Sequence, residues 1–297
     1  MSDLLIRALC RPLAIRIVAA TTGGLCAEAA WRHRTSPAVT CALGRGLTAG
    51  LLLSTLTTGG ERVTIQLQGD GPLGGLTVDA YDDGDVRGYA HQPRAWAGRL
   101  MDRRQRLQGL LGREGVVHVT RDIGLRDRYQ GQVRLGTGEV DEDIEAYLRE
   151  SEQIPSALGC EVVLDSAGQV RAAGGFLAQV LPGGNVDRIR EAQHGLRTGV
   201  LYDLLAAQPA VSAEAIAGAL LPGLEFEVLG SRPLRFRCRC SRDRVEGMLR
   251  TLSALDLSEM AAEGKAEVTC NYCNEVYLVE GEVLLRLLDE IGPKEKN

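Results

Sequence analysis

Four cysteines constrain this chain more than any other feature. Cys238 and Cys240 form a C-x-C pair, Cys270 and Cys273 form a C-x-x-C pair, and 29 residues lie between. Two close thiol pairs separated by a loop suit a tetrahedral zinc site in which each pair supplies two thiolates. The unit around them spans roughly 60 to 70 residues, a size at which a core alone gives marginal stability. Metal binding would then supply much of its folding free energy.

The same four sulfurs allow two readings, a structural staple and a redox switch. Three features favour the switch. Six arginines, Arg232, Arg235, Arg237, Arg239, Arg242 and Arg244, crowd the first pair, and only Asp243 offsets them between 232 and 244. Positive charge stabilises thiolate and favours attack on an oxidant, although the same arginines suit a solvated face or counter-charge for a zinc-tetrathiolate. Second, a disulfide within each motif is sterically feasible, because bridged Cα atoms stand roughly 4.4 to 6.8 Å apart. The C-x-C bridge would close a strained ring, and strained disulfides are easier to reduce. Third, oxidised sulfurs release zinc, and loss of zinc would unfold so small a unit.

The remaining composition narrows the class. The chain has 297 residues, enough for one large domain or two to three smaller ones. Apolar residues make up 44% and aromatics only 4%, so the cores must be aliphatic. A net charge of −5 argues against a nucleic-acid binder that relies on a global basic field. No apolar run approaches the roughly 20 residues of a spanning helix. The start, Met1 to Leu5, lacks the basic region and cleavage signal of a secretory peptide. A cytoplasmic, reducing compartment is expected, where eight cysteines are free thiols or metal ligands rather than a disulfide framework.

The pattern reads as α+β. Ala14 to Ala20 is a short apolar run. Helices are expected over Thr21–Arg32 and Pro37–Leu56, with Ser36 capping the second ahead of Pro37. Arg62 to Gln68 alternates apolar and polar residues, as a half-buried strand does. Strands are expected over Gly74–Tyr81 and Val86–Ala90 around Asp82-Asp83-Gly84-Asp85, and over Gly115–Arg121 and Gln130–Leu135. Glu139–Ser151 is an amphipathic helix, and Cys160–Leu164 with Val170–Phe176 is a hairpin. Val186–Ala207 and Ser212–Leu221 are helical and lack strands, so they read as a linker. A small third unit is expected from about Glu225, with helices over Asp243–Leu252, Leu257–Glu263 and Glu282–Ile291 and a strand entering Cys270.

Several other motifs have ordinary readings. Gly69-Asp70-Gly71-Pro72-Leu73-Gly74 fits G-x-G-x-x-G, but extended sequence follows it rather than the helix a pyrophosphate needs, so it reads as a hairpin turn. Cys10, Cys26, Cys41 and Cys160 sit among apolar neighbours and read as small core hydrophobes. His33, His91, His118 and His194 show no ligand spacing, and no Ser/His/Asp set can be assembled. The acidic turn Asp82–Asp85 lacks a calcium-loop frame and reads as solvated. No catalytic residue is assigned, and the chain is not expected to be an enzyme.

The strings Val63-Thr64-Ile65-Gln66-Leu67-Gln68-Gly69-Asp70-Gly71-Pro72-Leu73, Val86-Arg87-Gly88-Tyr89, Tyr129-Gln130-Gly131, Ser151-Glu152-Gln153-Ile154-Pro155-Ser156 and Ala173-Gly174-Gly175-Phe176-Leu177 carry a further signal. Together with Phe236-Arg237-Cys238-Arg239-Cys240-Ser241 and Cys270-Asn271-Tyr272-Cys273, they resemble the heat-shock protein 33 family, the redox-regulated holdase chaperones of bacteria. The resemblance spans nearly the whole chain. It implies a sandwich-like N-terminal α/β domain over 1–178, a metastable helical linker over 179–230 and a zinc-binding redox-switch domain over 231–297. It implies one Zn2+ held by Cys238, Cys240, Cys270 and Cys273 in a reduced, inactive form. Oxidation would bridge Cys238 to Cys240 and Cys270 to Cys273, eject zinc, unfold the linker and yield a homodimer that holds unfolded client proteins without ATP. Cys10, Cys26, Cys41 and Cys160 match no ligand position of the family. Two rival classes remain: a thiol oxidoreductase using Cys270 and Cys273, which would need a helix opening at the pair, and a zinc module binding nucleic acid through the arginines. No nucleic-acid or membrane partner is expected.

Overall fold

The computed structural model describes residues 3–56, 62–96, 107–122, 129–208 and 210–291; among them the chain is α+β and forms two compact units, Met1–Arg237 and Cys238–Asn297. The first unit begins β1 (Leu4–Cys10), β2 (Ile15–Thr21), α1 (Gly23–His33), α2 (Pro37–Ser54), β3 (Arg62–Gly69), β4 (Gly75–Tyr81) and β5 (Asp85–Ala90). It continues α3 (Gln108–Leu111), β6 (Gly115–Asp122), β7 (Tyr129–Arg134), α4 (Val140–Glu150), β8 (Ser156–Leu164) and β9 (Val170–Val180). It ends α5 (Val186–Thr198), α6 (Val200–Ala207), α7 (Ala213–Leu220), β10 (Glu227–Pro233) and β11 (Arg235–Phe236). A five-stranded sheet has the order β10-β1-β2-β9-β8 and a six-stranded sheet the order β11-β5-β4-β3-β6-β7. Neighbours are antiparallel except β11, which runs parallel to β5.

The alternation in β3 does what it foretold. Val63, Ile65 and Leu67 are fully buried while Gln66 and Gln68 face out. The Ser36 hydroxyl accepts from the Val39 N–H, and Pro37 takes the first helical position, so α2 starts where the cap dictates. By length and hydropathy α2 is apolar enough to cross a membrane, yet 94% of it is buried inside the protein. It is the core helix, packed against both sheets. A methyl group added at Gly44 would stand 2.7 Å from Val162 of β8, and one at Gly50 would stand 2.9 Å from Val78 of β4. Small residues on α2 therefore set how closely the two sheets approach it.

The helix α2 brings a cation into this core. Arg45 of α2 is buried, and its guanidinium donates to Glu139 at 2.9 Å and Glu161 at 2.6 Å, with Asp141 at 3.6 Å. Three carboxylates around one buried cation leave it compensated, as burial of a charge requires. Burial outweighs the nearby guanidinium at Glu139 and pushes its carboxyl up to about 7.

Four elements depart from the sequence pattern. The strand β1 was not foreseen, because it is flanked by β2 and β10 and buries residues on both faces, which erases alternation. The helix expected from Thr21 begins at Gly23, since Thr21 still pairs with Gly174 in the sheet. The helix expected over Val186–Ala207 breaks at Gly199, whose φ of 90° ends α5 in a left-handed cap before α6 begins. Residues 227–236, expected with the cysteine unit, are strands of the first unit: β10 pairs with β1, and β11 with β5.

The helices α5, α6 and α7 are docked, not free. Ile189, Leu201, Leu205, Ile216 and Leu220 share one apolar cluster with Ile6 of β1, Ile17 of β2 and Phe176 of β9. Each such side chain contributes about 1.5–3 kcal/mol by leaving water.

The second unit comprises α8 (Arg242–Leu249), α9 (Ala254–Ala262), the antiparallel hairpin β12 (Lys265–Thr269) and β13 (Val276–Glu280), and α10 (Gly281–Ile291). Ser241 and Ser253 cap α8 and α9 through the N–H groups of Arg244 and Asp256. Its core is small: among the described residues, the buried members of its apolar cluster are Val245, Leu249, Leu257, Ala266, Val279, Leu284 and Leu287.

Candidate metal centre

The second thiol pair sits at the tip of the β12–β13 hairpin. The Cys270 N–H donates to the Glu275 carbonyl at 2.9 Å, and the Asn274 N–H donates back to the Cys270 carbonyl at 2.8 Å. Asn274 takes φ 58°, a left-handed conformation that asparagine tolerates better than most residues. This tight turn brings Cys270 and Cys273 onto one side. Cys238 and Cys240 lie on the irregular segment just before Ser241, the cap of α8.

All four Sγ atoms lie within 4.8 Å of one another. Cys238 stands 3.7 Å from Cys270, and Cys240 stands 3.5 Å from Cys273. Those separations are far beyond the ~2.05 Å of a disulfide, and the four cysteines are not disulfide-bonded. Metal–sulfur bonds of about 2.3 Å in a tetrahedron put sulfurs about 3.8 Å apart. The donor set and its spacing therefore fit one tetrahedral ion, and a soft all-sulfur set suits zinc or iron.

The electrostatics explain why a cation belongs there. Burial pushes the Cys270 and Cys273 thiols up, and neighbouring sulfurs add to that. Backbone N–H groups of Tyr272 and Glu275 work in the opposite direction, favouring thiolate. A bound cation would complete what those donors begin and turn four crowded thiols into ligands.

One neighbour was not singled out in the sequence. Tyr277 of β13 donates its phenol O–H to Cys240 Sγ at 3.0 Å, and this bond is the main reason its own ionisation is pushed up. Nothing in the local sequence around Tyr277 points to a sulfur partner.

The crowded arginines do not act as one group. Arg235 and Arg237 are ion-paired to the buried Asp85 within the first unit. In the second unit Arg242 pairs with Glu246, and Arg244 donates to the Arg239 carbonyl. Asp85 also corrects the acidic turn: it is an anchoring carboxylate, not a solvated one. The other motifs keep their ordinary readings. The G-x-G-x-x-G string is a β3–β4 turn in which Asp70 accepts from the N–H groups of Arg113 and Glu114. Cys10, Cys26, Cys41 and Cys160 are buried, with burial pushing Cys26 and Cys41 up to about 12. His33, His91, His118 and His194 lie on α1, the segment after β5, β6 and α5. Cys270 and Cys273 open no helix, which counts against the oxidoreductase reading.

A family model described as Hsp33 protein matches residues 3–280. The chain belongs to the Hsp33 family. Among Hsp33 relatives, a 33 kDa chaperonin of Citrifermentans bemidjiense is 38% identical over 99% of this chain and 100% of its own length. A 33 kDa chaperonin of Bacillus licheniformis is 36% identical over 97% of this chain and 100% of its own. The crystal structure of the 33 kDa chaperonin (heat shock protein 33 homolog) of Thermotoga maritima superposes with a TM-score of 0.88 at 27% identity, covering 98% of this chain and 99% of that one. Hsp33 membership supports a chaperone rather than an enzyme.

Proposed function

We propose that this chain is a redox-regulated, ATP-independent holdase whose sensor is the set Cys238, Cys240, Cys270 and Cys273. The observation that carries the reading is four thiols gathered within 4.8 Å in a unit with a seven-residue apolar core. In the reduced form the four thiolates hold one Zn2+, which supplies the charge and cross-linking that the small unit needs to stay folded.

The redox step balances as two thiol pairs against two equivalents of peroxide. Each pair loses two electrons as one S–S bond forms, Cys238 to Cys240 and Cys270 to Cys273. Each peroxide accepts two electrons, its O–O bond breaks, and two protons from solvent carry it off as two waters. Disulfide sulfur holds zinc poorly, so the ion departs and the second unit loses its staple. The helices α5–α7 act as a metastable linker, within the stretch 179–230 expected for one, while β10 and β11 stay with the first unit and the switch begins at Cys238. When those helices leave the five-stranded sheet, the face bearing Ile6, Ile17 and Phe176 is uncovered. Apolar surface of that kind holds unfolded clients and favours a homodimer. A reducing compartment such as the cytoplasm keeps the resting form metal-loaded.

The test is to treat reduced, metal-loaded protein with peroxide under mild heat. Metal release, the disulfide map and aggregation of an unfolded client are followed in the same sample. Two intrapair bridges, one zinc released per chain and suppressed client aggregation are expected. Metal release without any suppression overturns the chaperone assignment to this switch.

A further inference from the structure

We propose that Tyr277 is a positioning residue of the thiol centre: its phenol O–H holds Cys240 Sγ in the ligand geometry and slows attack by that sulfur on oxidants. The inference rests on the reading of the four cysteines as metal ligands and sensor.

The placement is specific. Tyr277 lies on β13, opposite Val268 of β12, so it belongs to the hairpin that carries Cys270 and Cys273. Its ring packs against the core of the unit. From there its hydroxyl reaches 3.0 Å to Cys240, which lies 37 residues earlier on the other thiol-bearing segment. One side chain of the C-x-x-C hairpin thus grips one sulfur of the C-x-C pair.

The chemistry follows from the donor. A thiolate that accepts an O–H bond has less electron density to give to an electrophile. Oxidation begins when Cys240 Sγ attacks a peroxide oxygen, the O–O bond breaks and hydroxide leaves, giving a sulfenic acid. The Cys238 thiolate then displaces hydroxide from that sulfur and closes the bridge. Both the first attack and the swing of Cys240 toward Cys238 require the Tyr277 bond to break. Tyr277 therefore guards Cys240 and raises the threshold for the switch.

The test is Tyr277→Phe in the full chain, which keeps the ring and removes the hydroxyl. Metal content of the wild-type chain is measured first; no bound metal would sink the underlying reading rather than this one. Given metal, limited alkylation with iodoacetamide is mapped cysteine by cysteine, and peroxide-driven metal release is timed. Alkylation at Cys240 should rise about threefold to tenfold while Cys270 is unchanged, and metal release should quicken similarly. Equal rates in the two proteins overturn the proposal. So does a uniform rise at all four cysteines, which marks a merely loosened unit. If the variant loses metal outright, Tyr277→Trp, whose indole N–H is also a donor, should restore retention; failure to do so also overturns it.

Discussion

The two units of this chain hold the same residue type in opposite states. Cys10, Cys26, Cys41 and Cys160 are buried in the first unit, and at Cys26, Cys41 and Cys160 burial suppresses the thiolate form. Cys238, Cys240, Cys270 and Cys273 face one another in the second. The difference lies in what surrounds them. The first unit has two sheets wrapped on an almost wholly buried helix, so its thiols are ordinary core atoms. Among the described residues the second has an apolar cluster with seven buried members, a core of the size that a metal staple supplements. A thiol's role is thus set by how much core its unit commands.

The largest effect that would break this contrast is metal withdrawal. Chelation of the reduced protein should strip amide-exchange protection from β12, β13 and α10 while the two sheets keep theirs. The scale is about 10 kcal/mol or more, typical of structural zinc. Persistent protection of β13 would show that the seven-residue core suffices and would collapse the contrast.

A matched pair of substitutions sharpens it at a smaller scale. Leu205→Ala and Leu287→Ala each remove a fully buried leucine and should each cost about 2–5 kcal/mol. On the proposed reading, folding of the second unit and metal binding are one equilibrium, so Leu287→Ala should weaken metal affinity about 30-fold or more against a competing chelator. Leu205→Ala should leave that affinity nearly unchanged and instead loosen α5–α7, read as faster amide exchange there. Equal effects on affinity would show that the two cores are not separate.

The smallest effect concerns pH in the first unit. The Glu139 carboxyl lies at about 7 in the folded protein, above its ordinary 4.5. The folded state therefore binds this proton more tightly than the unfolded chain does. The associated stability is fully present below about 4.5 and is lost as pH rises through 7. The melting temperature of wild type relative to Glu139→Gln should fall by a few degrees between about pH 5 and pH 8. A flat difference would mean that Arg45 offsets the burial of Glu139 completely.

Local chemistry made much of this legible in advance. Val63, Ile65 and Leu67 announced a strand because a half-buried sheet imposes period two. Ser36-Pro37 announced a helix start because a cap and a fixed φ act within one turn. The four cysteines announced a cluster that could hold a metal ion because ligand spacing is itself local. What escaped had non-local causes. The strand β10 carries Gly230 and Pro233 and is largely exposed, and only pairing with β1 makes it a strand. Asp85 looked like part of a solvated turn until Arg235 and Arg237 returned to it. Tyr277 carried no signal along the chain, and only the hairpin brings it to Cys240.

By itself, then, the sequence determined the thiol set, the α+β class and the family, since spacing, periodicity and motif strings are written along the chain. Tertiary structure alone decided that α2 is a core helix between sheets, that α5–α7 cover an apolar sheet face, and which side chain touches which sulfur. Those outcomes depend on contacts between residues tens to hundreds of positions apart. Such contacts form only when the whole chain exchanges its entropy for burial.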